Sequence, residues 1–169
     1  MGLLDNLLNR NPTADWRAQA GLALLLDLDE ESFCGIRLGE KAERLEKLGP
    51  AEDAKKARVQ KTYAYASRGF DCHEELGRFV EVTLWYGASL EGQAFAGPVR
   101  RNGAEVVLTP ATTEAELVAH LGKPDARESS EADDTMSGGA SLTWHLNRTD
   151  CMVEFISDRL DQVWLGTKT

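Results

Sequence analysis

Three short segments of alternating apolar and polar residues are the feature that most constrains the fold. They cover residues 142–146, 151–156 and 160–165. A period of two places the apolar side chains on one face of a β-strand. Stretches of turn-forming residues at 147–150 and 157–159 separate the segments. The pattern predicts a three-stranded antiparallel meander, which needs a second layer to bury its apolar face.

Further strands are predicted earlier in the chain. Residues 78–86 alternate most clearly, and residues 63–66 alternate over a shorter stretch. Residues 99–108 are typical of a β-hairpin, because Asn102 and Gly103 at its centre readily take the positive φ angles of a tight turn. The sequence therefore predicts antiparallel strands in both halves of the chain.

The first residues are predicted to be helical. The leucines of residues 3–8 recur at the spacing of one helical face. Thr13 is suited to cap a second helix over residues 14–26, which are rich in Ala and Leu. Residues 27–32 form an acidic connector that ends this helical segment.

Two short helices are predicted further along. The first covers residues 40–48 and stops at Gly49, and the second begins at Thr112 or Thr113 and stops at Gly122. Three polar stretches are predicted to lie outside the strands: a helical turn over residues 51–61, a turn over residues 72–75 and a loop over residues 125–140.

These elements predict an α+β fold in which N-terminal helices precede two similar helix–loop–antiparallel-meander units that form one sheet. A helical segment over residues 1–32 is expected to precede an α+β domain over residues 33–169. The two tandem units of that domain span about 35–108 and 109–166. Neither unit can bury its apolar face alone, so the two are expected to pack together.

The second unit contains Leu121-Gly122-Lys123-Pro124, then Leu142-Thr143-Trp144, Val153-Glu154-Phe155 and Leu160-Asp161-Gln162-Val163. This order resembles the helix–loop–β-meander unit of the SmpA/BamE and beta-lactamase-inhibitor-protein-like superfamily. The resemblance covers residues 109–166 well and 35–108 loosely, and the first unit departs from it by lacking the Gly-x-Pro spacing. It implies this fold and the binding of proteins on the open face of the sheet, and it implies no catalytic residues.

The net charge of the chain limits the kinds of partner that it is expected to bind. The chain carries 28 acidic and 19 basic residues, for a formal charge of −9. A nucleic-acid binder needs a basic face to displace counterions, so no nucleic-acid partner is predicted. The longest apolar run, residues 21–26, is too short to span a bilayer, so no integral membrane association is predicted. We expect a protein partner, and the charge favours a basic one; the oligomeric state is left open.

The chain start and the cysteines predict a cytoplasmic protein. Polar residues interrupt the leucines of residues 1–10, so no cleavable secretory signal is expected. Asn6 stands where an N-myristoylation motif requires Ser or Thr. Three widely spaced cysteines are too few and odd in number for a disulfide framework.

No motif for catalysis, a metal or a cofactor is found, so the prediction is a non-enzymatic protein without a cofactor. Cys72 and His73 are adjacent, whereas catalytic Cys–His pairs usually converge from distant segments. A zinc site would need a second ligand cluster. A thiol enzyme that uses these two residues remains an alternative.

Strand parity predicts one binding face. If Val80, Val82 and Leu84 point to the core, then Phe79 and its alternate neighbours point away. By the same argument, alternate residues of the C-terminal strands are predicted to point away from the core. The predicted partner-binding residues are Trp85, Trp164, His145, Glu81 and Glu154.

The two tryptophans are expected at corresponding positions of the two units, on the same open surface. Tryptophan is frequent among the residues that anchor protein interfaces. The competing interpretation is that the N-terminal helices or a long loop cover this face and bury both rings.

The favoured hypothesis is an acidic inhibitor or immunity-type protein that neutralises a basic partner through the sheet face. The alternative is a structural or assembly factor that docks through its leucine-rich N-terminal helix, residues 3–8.

Overall fold

The computed structural model describes residues 11–87, 92–130 and 138–168. Strands hold 47% of these residues and form two sheets, of five and eight strands. The five-stranded sheet has the order β3-β2-β1-β8-β9, with β1 Leu26–Asp27, β2 Ser32–Phe33, β3 Ile36–Arg37, β8 Pro98–Arg101 and β9 Ala104–Val107. The eight-stranded sheet has the order β10-β11-β12-β13-β7-β6-β5-β4, with β4 Asp53–Ala57, β5 Gln60–Tyr65, β6 Phe70–Glu75, β7 Arg78–Trp85, β10 Ala126–Ser130, β11 Gly139–His145, β12 Thr149–Ile156 and β13 Arg159–Thr167.

Helical structure within the described residues is limited to three short pieces: the 3₁₀ helices η1 (Ala42–Leu48) and η2 (Ala66–Arg68), and the α-helix α1 (Glu114–Leu121). The short helix expected over 40–48 is confirmed as η1, and it ends at Gly49 with φ +83°. Of the two caps expected, Thr112 or Thr113, the structure has Thr113: its hydroxyl accepts from the Glu116 amide while the Glu116 carboxylate accepts from the Thr113 amide.

The predicted α+β class, with N-terminal helices and both units in one sheet, is wrong, because the described chain is mainly β and forms two sheets. Where a helix over residues 14–26 was predicted, residues 14–25 form turns and irregular chain, and Gly21 takes a left-handed φ of +72°. At the end of this stretch Leu26–Asp27 pairs with Ser32–Phe33 and, in parallel, with residues 99–100. Tertiary strand pairing therefore overrides the helix propensity of the Ala- and Leu-rich sequence. The helix predicted at residues 3–8 lies outside the described residues, and the division at 32/33 stays a prediction, although β2 straddles it.

The three stretches predicted to lie outside strands are also corrected. Residues 51–61 hold β4 and the start of β5, residues 72–75 belong to β6, and residues 125–140 hold β10 and the start of β11. Strands β4 and β10 are the two edges of the eight-stranded sheet, and most of their side chains are exposed. An edge strand exposed on both faces shows little apolar alternation, which explains why the pattern missed them. By contrast, the hairpin around Asn102-Gly103 is confirmed as β8 and β9.

The eight-stranded sheet consists of two four-stranded antiparallel meanders joined through β7 and β13. Each meander ends in a hairpin whose two turn residues have positive φ, Leu76-Gly77 in the first and Ser157-Asp158 in the second. When the hairpins are aligned, Trp164 corresponds to Thr83, and these two residues also face each other across the β7–β13 pairing. The meanders are therefore related by a local two-fold axis that passes through this pair.

A β-bulge in each meander changes the phase of its last strand. In β7 the bulge lies opposite His73 and Glu74, and in β13 it lies opposite Glu154 and Phe155. Phe79 is fully buried and Val80 is half-buried, the reverse of the predicted parity, while Val82 and Leu84 point inward as predicted. A bulge inserts one residue without a partner, so the alternation shifts by one beyond it.

The core lies between the two sheets. Phe33 of β2 packs edge-on against Phe70 of β6, with ring centroids 4.9 Å apart, and Tyr65 stacks on Phe70 at 4.7 Å. Trp144, predicted to point inward, is buried, and its indole donates to the Gly122 carbonyl at the end of α1. One face of the eight-stranded sheet is thus covered by the five-stranded sheet and the helices.

Two buried tyrosines provide a test of this core. The Tyr86 hydroxyl is buried and has no hydrogen-bond partner among the described residues, whereas the Tyr65 hydroxyl donates to the Gly49 carbonyl at 3.0 Å. We expect Tyr65→Phe to lower the free energy of unfolding by about 1 kcal/mol, because a buried hydrogen bond is lost. Tyr86→Phe is expected to leave it unchanged or raise it. Urea denaturation of both variants measures this difference, and equal losses would contradict the assignment.

Candidate functional site

The second face of the eight-stranded sheet, here called the outer face, consists of the side chains that point away from the core. The strand register arranges them in rows across the sheet. One row contains Thr143, Met152, Trp164, Thr83 and Asp71; the next contains Ser141, Glu154, Gln162 and Trp85; the third contains His145, Asp150, Gly166, Glu81, His73 and Thr62.

All five residues predicted to bind a partner lie on the outer face. Trp85 and Trp164 are both half-buried, and His145 is exposed. The tryptophans are not at corresponding positions, contrary to the prediction, because the local two-fold relates Trp164 to Thr83 and Trp85 to Gly166. Their arrangement on one face thus comes from two unrelated positions of the duplicated pattern.

The described part of the N-terminal segment packs on the opposite side of the sheet. Trp16 contacts the ring of Tyr63, with centroids 5.0 Å apart, and Tyr63 faces the core. The Thr13 hydroxyl accepts from the Ala51 amide at 2.8 Å, and the Gln19 amide donates to the Lys47 carbonyl. Residues 11–25 therefore do not form the lid over the tryptophans that the competing interpretation requires.

Trp85 is held in place by a carboxylate on the neighbouring strand. Its indole Nε1 donates to Oδ2 of Asp71 at 3.1 Å. Burial raises the pKa of Asp71 above its usual range, while the hydrogen bond from Trp85 favours the charged form. The ring is thereby oriented by a polar contact within the sheet face.

Trp164 is positioned by the absence of a side chain at Gly166. A Cβ at residue 166 would overlap carbons Cζ2 and Cη2 of the Trp164 ring. The benzo half of the indole therefore occupies the space above this glycine, and the ring lies along its own strand. Glycine in the interior of a strand is typical of such close approaches.

A groove with a volume of about 420 Å³ runs beside the Trp164 ring. His73 lies in it, with Nδ1 3.1 Å from the Thr62 hydroxyl and Nε2 3.4 Å from Oε1 of Glu81. When the Thr62 hydroxyl donates to Nδ1, the neutral ring carries its proton on Nε2, directed at Glu81. The same groove is lined by Glu75, Glu81 and Asp150, and we call it the Trp164 groove.

Acidic side chains predominate on the outer face. The His145 imidazole Nδ1 lies 2.8 Å from Oδ1 of Asp150, and Glu154 accepts from the Gln162 side chain. The register places seven acidic residues on this face, Asp53, Asp71, Glu75, Glu81, Glu128, Asp150 and Glu154, and three basic ones, Lys55, Arg78 and Arg159. Lys168, just beyond the paired residues of β13, adds a fourth basic group where it lines the Trp164 groove. The face therefore carries a net negative charge near neutral pH.

The alternative site at Cys72 and His73 is not assembled. Cys72 is fully buried on the core face, and burial raises the pKa of its thiol well above the usual range. His73 points to the outer face, because successive residues of a strand point to opposite sides. The thiol and the imidazole therefore lie on opposite sides of β6.

Sequence reasoning missed His73 as an outer-face residue, because residues 72–75 were predicted to form a turn. It missed Thr62 and Asp71 because they lie outside every predicted element. The signal was present in the alternation of Phe70, Cys72 and the polar residues between them. Gly166 gave no signal, since its role depends on the rotamer of a neighbouring ring.

Within residues 11–87, 92–130 and 138–168, no group of three or more His, Cys, Asp or Glu side chains is arranged to hold a metal ion. None of the helices there is long and apolar enough to cross a membrane. Comparison of the chain with family models, with curated proteins and with solved structures gives no match. The resemblance of residues 109–166 therefore stays a prediction.

The raised pKa of Asp71 predicts that the effect of a substitution at this residue on the free energy of unfolding depends on pH. A carboxyl whose folded pKa lies above the unfolded value of about 3.9 binds more protons in the folded state, so its contribution to stability falls as pH rises through that window. Asp71→Asn keeps an acceptor for Trp85 and removes the charge. We expect its stability relative to the unmodified chain to be higher at pH 7 than at pH 3, measured by urea denaturation. The matched control is Asp53→Asn, an exposed carboxylate in the same row; an identical pH dependence for both variants would refute the effect of burial.

The contact between Trp164 and Gly166 predicts a strong coupling. Gly166→Ala is expected to cost about 1–3 kcal/mol, because its methyl group displaces the indole. In a Trp164→Thr background, which copies Thr83 of the first meander, the same change is expected to cost much less. A double-mutant cycle by denaturation measures this coupling. Equal costs in the two backgrounds would show that the ring does not occupy the space above residue 166.

Proposed function

We propose that this chain is a non-enzymatic, cytoplasmic protein-binding module, an inhibitor or immunity-type protein that binds a basic partner protein through the outer face. The observation that carries the proposal is the pair of half-buried indoles, Trp85 and Trp164, set among acidic side chains on one face of a continuous eight-stranded sheet. Buried aromatic anchors surrounded by polar groups are the usual composition of an interface hot spot.

The charge of the outer face supports the choice of a basic partner. Its carboxylates outnumber its basic groups, as those of the chain do, with a formal charge of −9. Complementary charge accelerates association and selects among partners. The association rate is therefore expected to fall as salt is added.

The cytoplasmic location is supported by the cysteines. Cys34, Cys72 and Cys151 are all buried and unpaired. Unpaired cysteines are typical of proteins kept in a reducing compartment.

A library of random displayed peptides, selected on the immobilised full chain at low salt, tests the proposal even though the partner is unidentified. The enriched peptides are expected to be basic, and synthetic copies are expected to bind with affinities that fall at high salt. We expect Trp85→Ala and Trp164→Ala each to weaken binding by about tenfold or more, as for hot-spot residues. Fluorescence or calorimetric titration measures these affinities.

Two matched controls accompany this test. Glu81→Gln with Glu154→Gln removes two charges from the outer face, and Glu43→Gln with Glu46→Gln removes two from exposed positions on η1. Val107→Ser removes an apolar side chain, 56% exposed, from β9 of the other sheet. Only the outer-face changes are expected to weaken binding. Selected peptides without basic residues, or affinities that respond equally to both double variants, would refute the proposal.

A further inference from the structure

We propose that the Trp164 groove is an arginine pocket, which receives one guanidinium group of the basic partner between the Trp164 indole and the carboxylates of Glu75 and Glu81. This inference rests on the proposed function and goes beyond it, because it assigns one side-chain chemistry of the partner to one part of the outer face.

The indole supplies one wall of the pocket. The Trp164 ring lies above Gly166, and it also lines the groove. A planar guanidinium stacks on an aromatic ring of this kind by combined cation–π attraction and surface contact. Because the ring is fixed by its own strand, it is in position before a ligand arrives, which lowers the entropic cost of binding.

The carboxylates of Glu75 and Glu81 line the same groove, and Glu81 lies directly across from Gly166 in the strand register. The Glu81 carboxylate has a single polar contact within the described chain, His73 Nε2 at 3.4 Å, a distance that leaves most of its acceptor capacity unused. The Glu75 carboxylate has no hydrogen bond or ion pair among the described residues, and the residue is half-buried. Since a guanidinium carries five N–H donors in a planar fork, it can pair with such carboxylates while its face rests on the indole.

The other charged groups that line the groove leave it negative. Lys168 brings one positive charge, and its Nζ donates to the Leu146 carbonyl at 2.6 Å instead of to a carboxylate. Asp150 adds a negative charge and is already bound to His145. The three carboxylates of Glu75, Glu81 and Asp150 therefore outnumber the basic groups that line the groove, and a second cation is favoured.

Arginine fits the groove better than lysine. A lysine ammonium is a compact, strongly hydrated charge that needs a carboxylate but gains little from a flat ring. The Trp164 groove offers a planar wall and two separate carboxylates, and the guanidinium matches both.

Titration of the full chain with N-acetyl-arginine methylamide tests the proposal directly. The four indole N–H resonances of the ¹⁵N-labelled protein report on Trp16, Trp85, Trp144 and Trp164. We expect a saturable shift of the Trp164 resonance in the millimolar range and no saturable shift of Trp144. The neutral isostere, N-acetyl-citrulline methylamide, and the lysine analogue are expected to bind at least fivefold more weakly. Equal affinity for either analogue would overturn the assignment of arginine.

Substitutions distinguish arginine binding in the pocket from nonspecific electrostatic attraction to an acidic protein. Glu81→Gln is expected to weaken arginine binding by about fivefold or more, whereas Glu43→Gln, the same change on η1, is expected to have no effect. Thr62→Val removes the contact that orients His73 and is expected to have a smaller effect than Glu81→Gln. Equal effects of Glu81→Gln and Glu43→Gln would overturn the pocket.

Failure of this inference and failure of the proposed function give different results. If selected basic peptides bind and lose affinity with Trp85→Ala but not with Trp164→Ala or Glu81→Gln, the outer face is the binding surface and the arginine pocket is wrong. If arginine binds in the Trp164 groove but no peptide is affected by either tryptophan, the proposed function is wrong and the pocket remains.

Discussion

The antiparallel pairing of β7 with β13 is the constraint on which the rest of the structure depends. It joins two four-stranded meanders into one sheet, with Trp164 opposite Thr83 at the local two-fold. Neither meander could bury its inner face alone, and the joined sheet presents a single apolar face to the five-stranded sheet and the helices. Because side chains alternate along every strand, burying one face of this sheet also fixes which residues form the other. Core packing and the positions of the bulges therefore decide which residues of the sequence lie on the outer face.

The bulges explain why strand parity predicted the direction of only some side chains correctly. The alternation of residues 78–86 correctly predicted that Val82 and Leu84 point inward and that Glu81 and Trp85 point outward, but it reversed Phe79 and Val80. A bulge leaves no mark in the apolar pattern of a single strand, since it is defined by two residues opposing one on the partner strand. The predicted parity is therefore correct for residues 81–85, on one side of the bulge, and reversed for Phe79 and Val80. The five predicted binding residues were placed on one face because none of them lies beyond a bulge.

Turns, caps and helix ends could be predicted from the sequence, because short-range interactions determine them. The Asn102-Gly103 hairpin, the Thr113 cap and the end of η1 at Gly49 were all predicted, because each depends on neighbouring residues alone. The fold class was wrong for the opposite reason: residues 14–26 have helix propensity, but Leu26 and Asp27 are needed as a strand between β2 and β8. The edge strands β4 and β10 carried too little apolar alternation to be recognised. Of the candidate site, the tryptophans and acidic residues followed from parity, whereas the groove depends on the Trp164 rotamer and on Gly166, which only the structure reveals.

The informative differences between the two meanders lie on the outer face, where core packing does not constrain the identities of the side chains. At inward positions the local two-fold pairs like with like: Val82 corresponds to Val163, Leu84 to Leu165, and Phe79 to Leu160, and all are buried. At the outward positions between them, Thr83 corresponds to Trp164 and Trp85 to Gly166. Core packing requires none of these four identities, since the side chains lie on the face that the second sheet does not cover. The exchange of a small residue for an indole on each side of the axis gives one half of the face a ring bound to Asp71 and the other a ring above a glycine. This asymmetry, on a framework whose inner face is nearly symmetric, supports the proposed binding surface, whose two tryptophans lie on either side of the junction of β7 and β13.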